Sequence, residues 1–457
     1  MRQPRSIPIG VAVLGLAVVV LPSIQTSLAA DAKVADFRLR RISSGVRIDV
    51  QRGTNEHGFW RVEGGTNLRE WFSKGRIEVR DGSGSLEFPA GELELKHCFY
   101  RIVPDNSVAN VLELPRRPFD YVDVVLPPHL VTEAVSETDN TPADNPVTNL
   151  GATLGRVLFY DRNLSTNRTI SCASCHRQRD GFSDPRRLSV GFAGGRTGRN
   201  SMGLSNARFY QPGKFFWDHR AETLEEQVLM PIQDSVEMGM NLDALTNRLQ
   251  QYEYYRTLFT SAFGDSQVTT GRIAKALAQF IRSMVSFRSK FDEGVASDFA
   301  NFTEQEKLGR QLFNNPANAC AICHAGPNFA GSRPANNGLE FPLVDPGVGG
   351  GSGVAAEEGR FKMASLRNVE KTAPYMHDGR FATLEEVVDF YSDGVVDHPG
   401  LPGLFRDDDG NVRRPNFTAE EKAALVAFMK TLTDNEFLTD RRFSNPFRSE
   451  GVPRIRR

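Results

Sequence analysis

The pattern of apolar and polar residues divides the chain into two differently built parts. Between about residue 31 and residue 104, short alternating runs such as Arg-Ile-Asp-Val at 47–50 are separated by clusters of Gly, Asn, Asp and Ser. Alternation with a period of two is typical of strands that bury one face. Residues 31–104 are therefore predicted to form a small β-rich, sandwich-like module. Trp60 and Trp71 are its candidate core aromatics, with carbohydrate binding as the alternative role.

Beyond the β-rich module the pattern changes. Residues 105–146 are rich in Pro, Asp, Asn and Thr, which indicates a linker packed over the next domain. Farther on, apolar residues recur with helical spacing, and one such run predicts a helix over 270–290. A last amphipathic helix is predicted to begin at Thr418, with Glu421 closing a capping box, and to run to about Leu432.

The helical part of the chain repeats itself. Four blocks occur twice in the same order. The paired blocks are 154–159 with 308–313, 171–176 with 319–324, 204–206 with 366–368 and 217–226 with 377–386. Repetition of whole blocks in one order indicates duplication of a structural unit. Two tandem domains are therefore predicted, over 147–290 and 291–457, with the 270–290 helix joining the two copies.

The second repeated block contains chemistry that both copies share. It reads Cys172-Ala-Ser-Cys175-His176 in the first copy and Cys320-Ala-Ile-Cys323-His324 in the second. Two thiols one helical turn apart can add to the two vinyl groups of one porphyrin, and the adjacent His can then bind the iron. Two C-x-x-C pairs could instead hold zinc or act as redox dithiols, but neither explains a His directly after both pairs. The sequence predicts a mainly α protein with two cytochrome c-like domains, each carrying one covalently bound haem c.

The amino-terminal end indicates export. Arg2 and Arg5 precede an apolar run over 9–21 and small residues up to Ala30, which is the order of a cleaved signal peptide over 1–30. The run is too short to span a bilayer, and no later stretch could do so. With 55 basic and 56 acidic residues, the chain gives no reason to expect a nucleic acid or a strongly anionic membrane as partner. These features predict a periplasmic protein, for which a homodimer is one option.

The two copies differ at the position expected to face the far side of the iron. When they are aligned on their last repeated block, the helix that follows carries Tyr391 in copy two and Pro231 in copy one. A phenol can bind iron, whereas Pro has no donor atom, and the loops before this block in copy one contain no His and one Met, Met202. Haem 1, at His176, is predicted to be five-coordinate and open to hydrogen peroxide. Haem 2, at His324, is predicted to be closed by Tyr391, although this Tyr could instead be a core aromatic.

Residues 147–435 resemble the bacterial di-haem cytochrome c peroxidases and their methylamine-utilisation relatives of the MauG type. In copy one the resemblance rests on Asn200, Asn206, the 216–218 run, Arg220, Gln227, Pro231 and the 237–238 pair, and in copy two on 366–368, 372–379 and 390–391. The resemblance implies that Trp217 lies between the haems and relays electrons. It also implies that Gln227 and Glu237 line the distal pocket of haem 1.

The same resemblance implies a calcium ion, bound by Asn200 and by the carbonyls of Thr372 and Pro374. An all-oxygen set suits a hard cation, although Asn200 could equally cap a turn. Glu237 is the candidate proton carrier at haem 1, since a desolvated carboxylate can move a proton from the inner to the outer oxygen of peroxide. Plain alternatives are that Glu237 is a solvated surface acid and that Trp217 is ordinary core packing.

Two features depart from the ordinary di-haem peroxidases, in which Met stands at the Tyr391 position and a His before Asn200 blocks haem 1 until haem 2 is reduced. Both departures favour the MauG type, but the residue six before His324 is Asn318, where the MauG type has a surface Trp. The leading hypothesis is a periplasmic enzyme that reduces peroxide at haem 1, with electrons from a small c-type cytochrome or copper protein passing through haem 2 and Trp217. The alternatives are MauG-type oxidation of side chains of a partner protein, and a di-haem electron carrier with both haems closed.

Overall fold

The computed structural model describes residues 112–447 without interruption and, before them, the six segments 36–42, 45–51, 58–65, 72–79, 83–89 and 99–104. The predicted signal peptide over 1–30 and Trp71 lie outside the described residues. The described residues up to Arg117 belong to one compact unit, and the described residues from Pro118 onward belong to a second. The second unit holds both repeated halves and every candidate site residue.

The described part of the first unit contains six strands, all paired antiparallel. They are β1 (Asp36–Ile42), β2 (Gly45–Gln51), β3 (Gly58–Gly65), β4 (Phe72–Val79), β5 (Ser83–Pro89) and β6 (Phe99–Pro104). They form two three-stranded sheets, with the strand orders β1-β2-β5 and β4-β3-β6. In β2 the buried Ile48 lies between the half-buried Arg47 and Asp49, as expected from the alternating pattern. The packing of the two sheets into a sandwich stays a prediction.

The second unit consists of α-helices joined by long loops. In chain order they are α1 (Glu133–Ser136), α2 (Asn149–Tyr160), α3 (Cys172–Cys175), α4 (Leu224–Gln227), α5 (Met230–Gln233), α6 (Leu242–Gln250), α7 (Glu253–Phe263), α8 (Thr270–Arg282), α9 (Lys290–Val295), α10 (Glu304–Asn314), α11 (Cys320–Cys323), α12 (Val348–Ser352), α13 (Leu384–Asp389), α14 (Ala419–Lys430) and α15 (Asn435–Thr439). A π-helical turn over Phe390–Gly394 follows α13. Within the described part of the chain, none of the helices has the length and apolar character needed to cross a bilayer.

One helix pair packs in the same way in each half. In the first half α2 packs on α8, and in the second half α10 packs on α14. Gly155 and Gly309, the equivalent glycines of the first repeated block, make the close approach. A Cβ at Gly155 would overlap the carbonyl of Ala276, and a Cβ at Gly309 would overlap the carbonyl of Ala424. Glycine is therefore needed at both positions, because the helix backbones touch there.

The third repeated block holds the end of the last long helix in each half. Asn206 and Asn368 both adopt left-handed backbone conformations, with φ of 59° and 63°. Their backbone N–H groups donate to the carbonyls of Met284 and Leu432, respectively, at 2.8 and 3.0 Å. The repeated block thus corresponds to the same local structure in both halves: a left-handed Asn whose N–H donates to a carbonyl just beyond the last long helix.

The helix predicted over 270–290 ends at Arg282 instead. The side chain of Asn206 binds both backbone groups of Ser286, donating to its carbonyl at 3.0 Å and accepting from its N–H at 2.7 Å. Backbone groups bound in this way cannot continue an α-helix. The predicted end at residue 290 is therefore wrong: α8 packs on α2 within the first half, and residues 283–289 connect it to the next helix. The last long helix, α14, does begin after the predicted Thr418 cap.

Candidate functional site

Two His side chains stand at equivalent positions of the two halves, each directly after a one-turn helix. His176 follows α3, and its Nδ1 lies 2.8 Å from the carbonyl oxygen of Phe182. His324 follows α11, and its Nδ1 lies 3.2 Å from the carbonyl oxygen of Phe329. Donation from Nδ1 to a carbonyl leaves Nε2 as the ligand atom, which is the usual arrangement of a metal-binding His.

A cavity of about 470 Å³, the His176 cavity, lies beside the first of these His residues. Its walls include Met202, Trp217, Gln227, Pro231 and Glu237. The fold thus brings together the residues predicted for the distal side of haem 1. Pro231 lies in the first turn of α5, where the missing N–H is tolerated, and it offers the cavity no donor atom.

A second cavity of about 250 Å³, the His324 cavity, has Cys320, Cys323 and Tyr391 in its walls. Tyr391 lies on the π-helical turn after α13, a type of turn frequent at functional sites. Burial raises the pKa of Tyr391 to about 12. Tyr391 and His324 therefore face one cavity, as ligation of haem 2 by both would require, and the ligation itself stays a prediction.

Two residues beside Tyr391 were not singled out by the sequence analysis. Asn337 donates from its side-chain nitrogen to the Tyr391 hydroxyl at 3.2 Å, and the same nitrogen lies 3.6 Å from the sulfur of Met376. A thioether is a second iron-binding donor in this cavity. Met376 stands in a run that carried the resemblance, but only the folded chain places it beside Tyr391. No pattern in the sequence could have linked Asn337 to Tyr391, since the two residues lie far apart in the chain.

The residues around both cavities fit covalently bound porphyrins. The thiols of Cys172, Cys175, Cys320 and Cys323 are all unpaired. Lys362 lines both cavities and is 9% exposed, and its ammonium group lies 3.7 Å from the centre of the Tyr210 ring. Burial lowers the pKa of Lys362 to about 7. A buried cation requires an anionic partner, and the carboxylate groups of a porphyrin would supply one.

Trp217 contributes to the walls of both cavities. Its Nε1–H donates to the carbonyl of Asn200 at 2.8 Å. Its own carbonyl accepts from the backbone N–H of Lys362 at 2.8 Å. Trp217 is thereby bound to residues of both halves, and its role as an electron relay stays a prediction.

Glu237 is half-buried in the wall of the His176 cavity. Burial, and to a smaller extent the carboxylate of Asp234, raises the pKa of Glu237 to about 7, while the guanidinium of Arg220 opposes this shift. A carboxyl group that titrates near neutrality can both accept and release a proton at the working pH. This environment differs from that of a solvated surface acid.

The predicted calcium ligands Asn200, Thr372 and Pro374 all line the His324 cavity. The amide nitrogen of Asn200 donates to the carbonyls of Arg186 and Arg187, at 3.2 and 3.1 Å, which leaves the side-chain oxygen for a cation. Over the described ranges, no group of three or more His, Cys, Asp or Glu side chains could hold a metal ion. The calcium set consists of amide and carbonyl oxygens, and it stays a prediction.

An ion-pair cluster ties the loop before Trp217 to the second half. Arg199 donates twice to the carboxylate of Asp345, at 2.8 Å each, and also pairs with Asp218. Nearby, His377 stacks on Phe361 with ring centres 3.8 Å apart. The sequence could not indicate the cluster, because Arg199 and Asp345 belong to different halves.

Comparison with known proteins places this arrangement in a family. Residues 149–299 match the family model described as di-haem cytochrome c peroxidase. The methylamine utilization protein MauG of Methylophilus methylotrophus is 35% identical over 311 residues, which are 67% of this chain and 89% of that protein. The chain belongs to the di-haem cytochrome c peroxidase family.

Relatives of this di-haem peroxidase family member carry different names. Cytochrome c551 peroxidase of Nitrosomonas europaea is 33% identical over 289 residues, which are 62% of this chain and 80% of that protein. A solved MauG-like protein associated with microbial copper homeostasis has 34% identity and a TM-score of 0.60, over 67% of this chain and 96% of that one. The diheme peroxidase BthA from Burkholderia thailandensis E264, at 23% identity and a TM-score of 0.57, covers 67% and 92% and supports the fold alone. Membership supports a peroxidase-type oxidoreductase with two haems c, and it includes both peroxidases and MauG proteins.

Proposed function

We propose that this family member is a periplasmic enzyme that reduces hydrogen peroxide to water in the His176 cavity. Electrons reach that cavity from a small c-type cytochrome or copper protein through haem 2 and Trp217. The observation that carries the proposal is the difference between the two cavities. Pro231 lines the His176 cavity at the aligned position from which Tyr391 lines the His324 cavity. An iron bound by His176 would therefore find no second ligand at this position, whereas Tyr391 would supply one to an iron bound by His324.

The side chains of the His176 cavity suit this reaction. When bound, haem 1 supplies an iron that takes up peroxide and exchanges electrons. Cleavage of the O–O bond requires a proton to move from the inner to the outer oxygen, and Glu237 can accept that proton and return it. The neutral amide of Gln227 can hold peroxide by hydrogen bonds without competing for the proton. Trp217 spans both cavities and is the relay in this scheme.

A calcium ion and export complete the proposal. The side-chain oxygen of Asn200 is one proposed ligand of the calcium ion. The backbone carbonyl of the same residue accepts the hydrogen bond from the indole N–H of Trp217. An ion held by Asn200, Thr372 and Pro374 would therefore fix the relay. Export through the signal peptide over 1–30 agrees with covalent haem attachment, and a homodimer is one option for assembly.

MauG-type oxidation of side chains on a partner protein is the second candidate. Its support is the similarity to proteins named MauG and the presence of Tyr391, an oxygen donor that favours oxidised iron. Against it, Asn318 stands where the MauG type has a surface Trp, and its amide donates to the carbonyl of Leu312 at 2.9 Å. The electron carrier is disfavoured because it needs a sixth ligand at haem 1, which Pro231 does not provide.

The resting oxidised protein is expected to contain one high-spin and one low-spin ferric haem. The open His176 cavity predicts the high-spin centre, and the closure of the His324 cavity by Tyr391 predicts the low-spin one. Low-temperature EPR of the protein as isolated measures both populations. Two low-spin signals and no high-spin signal would favour the carrier.

The all-ferric protein should also react with peroxide without prior reduction of haem 2. No His lies between Arg177 and Asn200 that could block the cavity. Stopped-flow mixing with one equivalent of peroxide should convert the high-spin haem bands promptly. If the bands change only after one electron per protein has been added, a side chain such as Met202 closes haem 1.

A further inference from the structure

We propose that Tyr210 and His219 form a redox site that holds one oxidising equivalent outside the two haems. Tyr210 gives one electron to the oxidant generated from peroxide, and its phenolic proton passes to His219. The inference rests on the proposed reduction of peroxide in the His176 cavity. It assigns a role to two side chains that neither the haem motifs nor the proposed mechanism uses.

The two side chains form a buried hydrogen-bonded pair. Tyr210 is 3% exposed and His219 is 9% exposed. The phenolic oxygen lies 2.7 Å from Nε2 of His219, and the rings meet edge to face with centroids 5.7 Å apart. When the imidazole carries its proton on Nδ1, the phenol donates to Nε2, so the proton can move along an existing hydrogen bond.

His219 stands in a backbone conformation for which the second half uses glycine. Its φ is 56°, and the aligned residue is Gly379, with φ of 65°. A left-handed conformation is strained for a residue with a side chain, and such strain is concentrated at functional sites. The turn itself does not require His, because Gly379 makes the same turn in the second half. The imidazole is therefore best explained by its contact with Tyr210.

The pair lies beside the proposed chemistry. Tyr210 lines the His176 cavity together with Trp217 and Glu237. His219 follows Trp217 by two residues. Tyr210 can therefore pass an electron to the oxidant generated from peroxide in this cavity, while its phenolic proton passes to His219.

His219 is an unprotonated base at neutral pH. Burial lowers the pKa of His219 to about 4. The charged groups that face it are the ammonium groups of Lys362 and Lys214, which lower this pKa further, and the carboxylates of Asp218 and Glu222, which raise it. Burial also raises the pKa of the phenol, so that the phenol keeps its proton until it is oxidised. A base in contact with the hydroxyl is then needed, because a buried proton has no water to receive it.

Reduction of one hydrogen peroxide to two waters takes up two electrons and two protons. Tyr210 supplies one of these electrons. Its O–H bond breaks, an N–H bond forms at Nε2 of His219, and a neutral tyrosyl radical remains beside an imidazolium. An electron from the donor protein later reduces the radical, and His219 returns the proton. The pair is thus restored after each turnover.

Rapid-freeze EPR of the all-ferric holoprotein, mixed with one equivalent of peroxide, tests the site. We expect an organic-radical signal that narrows when the protein contains ring-deuterated tyrosine. Tyr210→Phe should abolish this signal. His219→Gly, which introduces the residue of the second half and keeps the turn, should slow its appearance by about 10²-fold, the scale of a positioned proton transfer. His219→Asn, which also tolerates the left-handed turn but is not a base, should behave like His219→Gly.

Tyr254→Phe is the matched control. Tyr254 is also buried, and its hydroxyl donates to Asp161 at 3.1 Å, but it does not belong to the wall of the His176 cavity. The signal should survive this substitution. A tyrosyl signal that persists in Tyr210→Phe, or haem bands that respond to peroxide without any tyrosyl signal, would overturn the inference alone. Haem bands that do not respond to peroxide would overturn the proposed function and the Tyr210 site together.

Discussion

Replacing Glu237 by Gln is expected to slow the reaction of the ferric protein with peroxide by about 10²-fold, the usual contribution of a positioned proton-transfer group. Gln has nearly the size of Glu but cannot take up a proton, so peroxide should still enter the His176 cavity. Stopped-flow mixing with excess peroxide measures the rate from the change in the haem bands. A variant as fast as the unaltered protein would show Glu237 to be a bystander.

The same carboxyl group should determine the pH dependence of this reaction. Burial raises the pKa of Glu237 to about 7, and the group must be ionised to accept the first proton from peroxide. The rate should therefore rise as the pH passes through about 7 and level off above it, and Glu237→Gln should remove this rise. Glu222→Gln is the matched control, because Glu222 is an exposed acid that precedes α4 and does not line the cavity. It should keep both the rate and the pH profile.

Replacing Tyr391 by Phe is expected to remove the low-spin EPR signal that haem 2 gives in the unsubstituted protein. Both haems should stay attached. The phenol of Tyr391 lines the His324 cavity together with the thiols of Cys320 and Cys323, and it is the predicted oxygen ligand of haem 2. EPR of the ferric variant measures the loss, and denaturing electrophoresis with haem staining checks the attachment. An unchanged low-spin signal would contradict ligation by Tyr391.

Two neighbours of Tyr391 provide a further expected result and a control for this experiment. The sulfur of Met376 lies 3.6 Å from the Asn337 nitrogen that also donates to Tyr391. If the thioether takes the vacated place, a different low-spin signal should replace the original one, and the reduction potential of haem 2 should rise, since His/Met ligation favours reduced iron. Tyr375→Phe is the matched control, because Tyr375 lines the same cavity but donates to the carbonyl of Val369 at 3.0 Å. Its low-spin signal should be unchanged.

Features that depend on residues close together in the chain could be predicted from the sequence. Each C-x-x-C-H block places its two thiols and its His around one helical turn, so the spacing alone indicates the attachment of a porphyrin. The capping box at Thr418 is equally local, and the structure contains it. The repeat allowed one prediction about residues far apart in the chain. Alignment of the two copies places Pro231 and Tyr391 at equivalent positions, and it requires no knowledge of the residues around them.

Only the tertiary structure decided which distant residues meet. No local pattern indicates that Asn206 binds Ser286 and ends α8, or that Asn337 donates to Tyr391. Hydrogen bonds act over about 3 Å, and desolvation shifts a pKa only where the packed chain excludes water. The partners of a side chain are therefore set by the packing of the two halves, which the order of residues does not reveal. The sequence by itself predicted where the haems attach and which copy has Pro in place of a donor side chain at the aligned position, whereas the environment of Glu237 and the pairing of Tyr210 with His219 exist only in the folded protein.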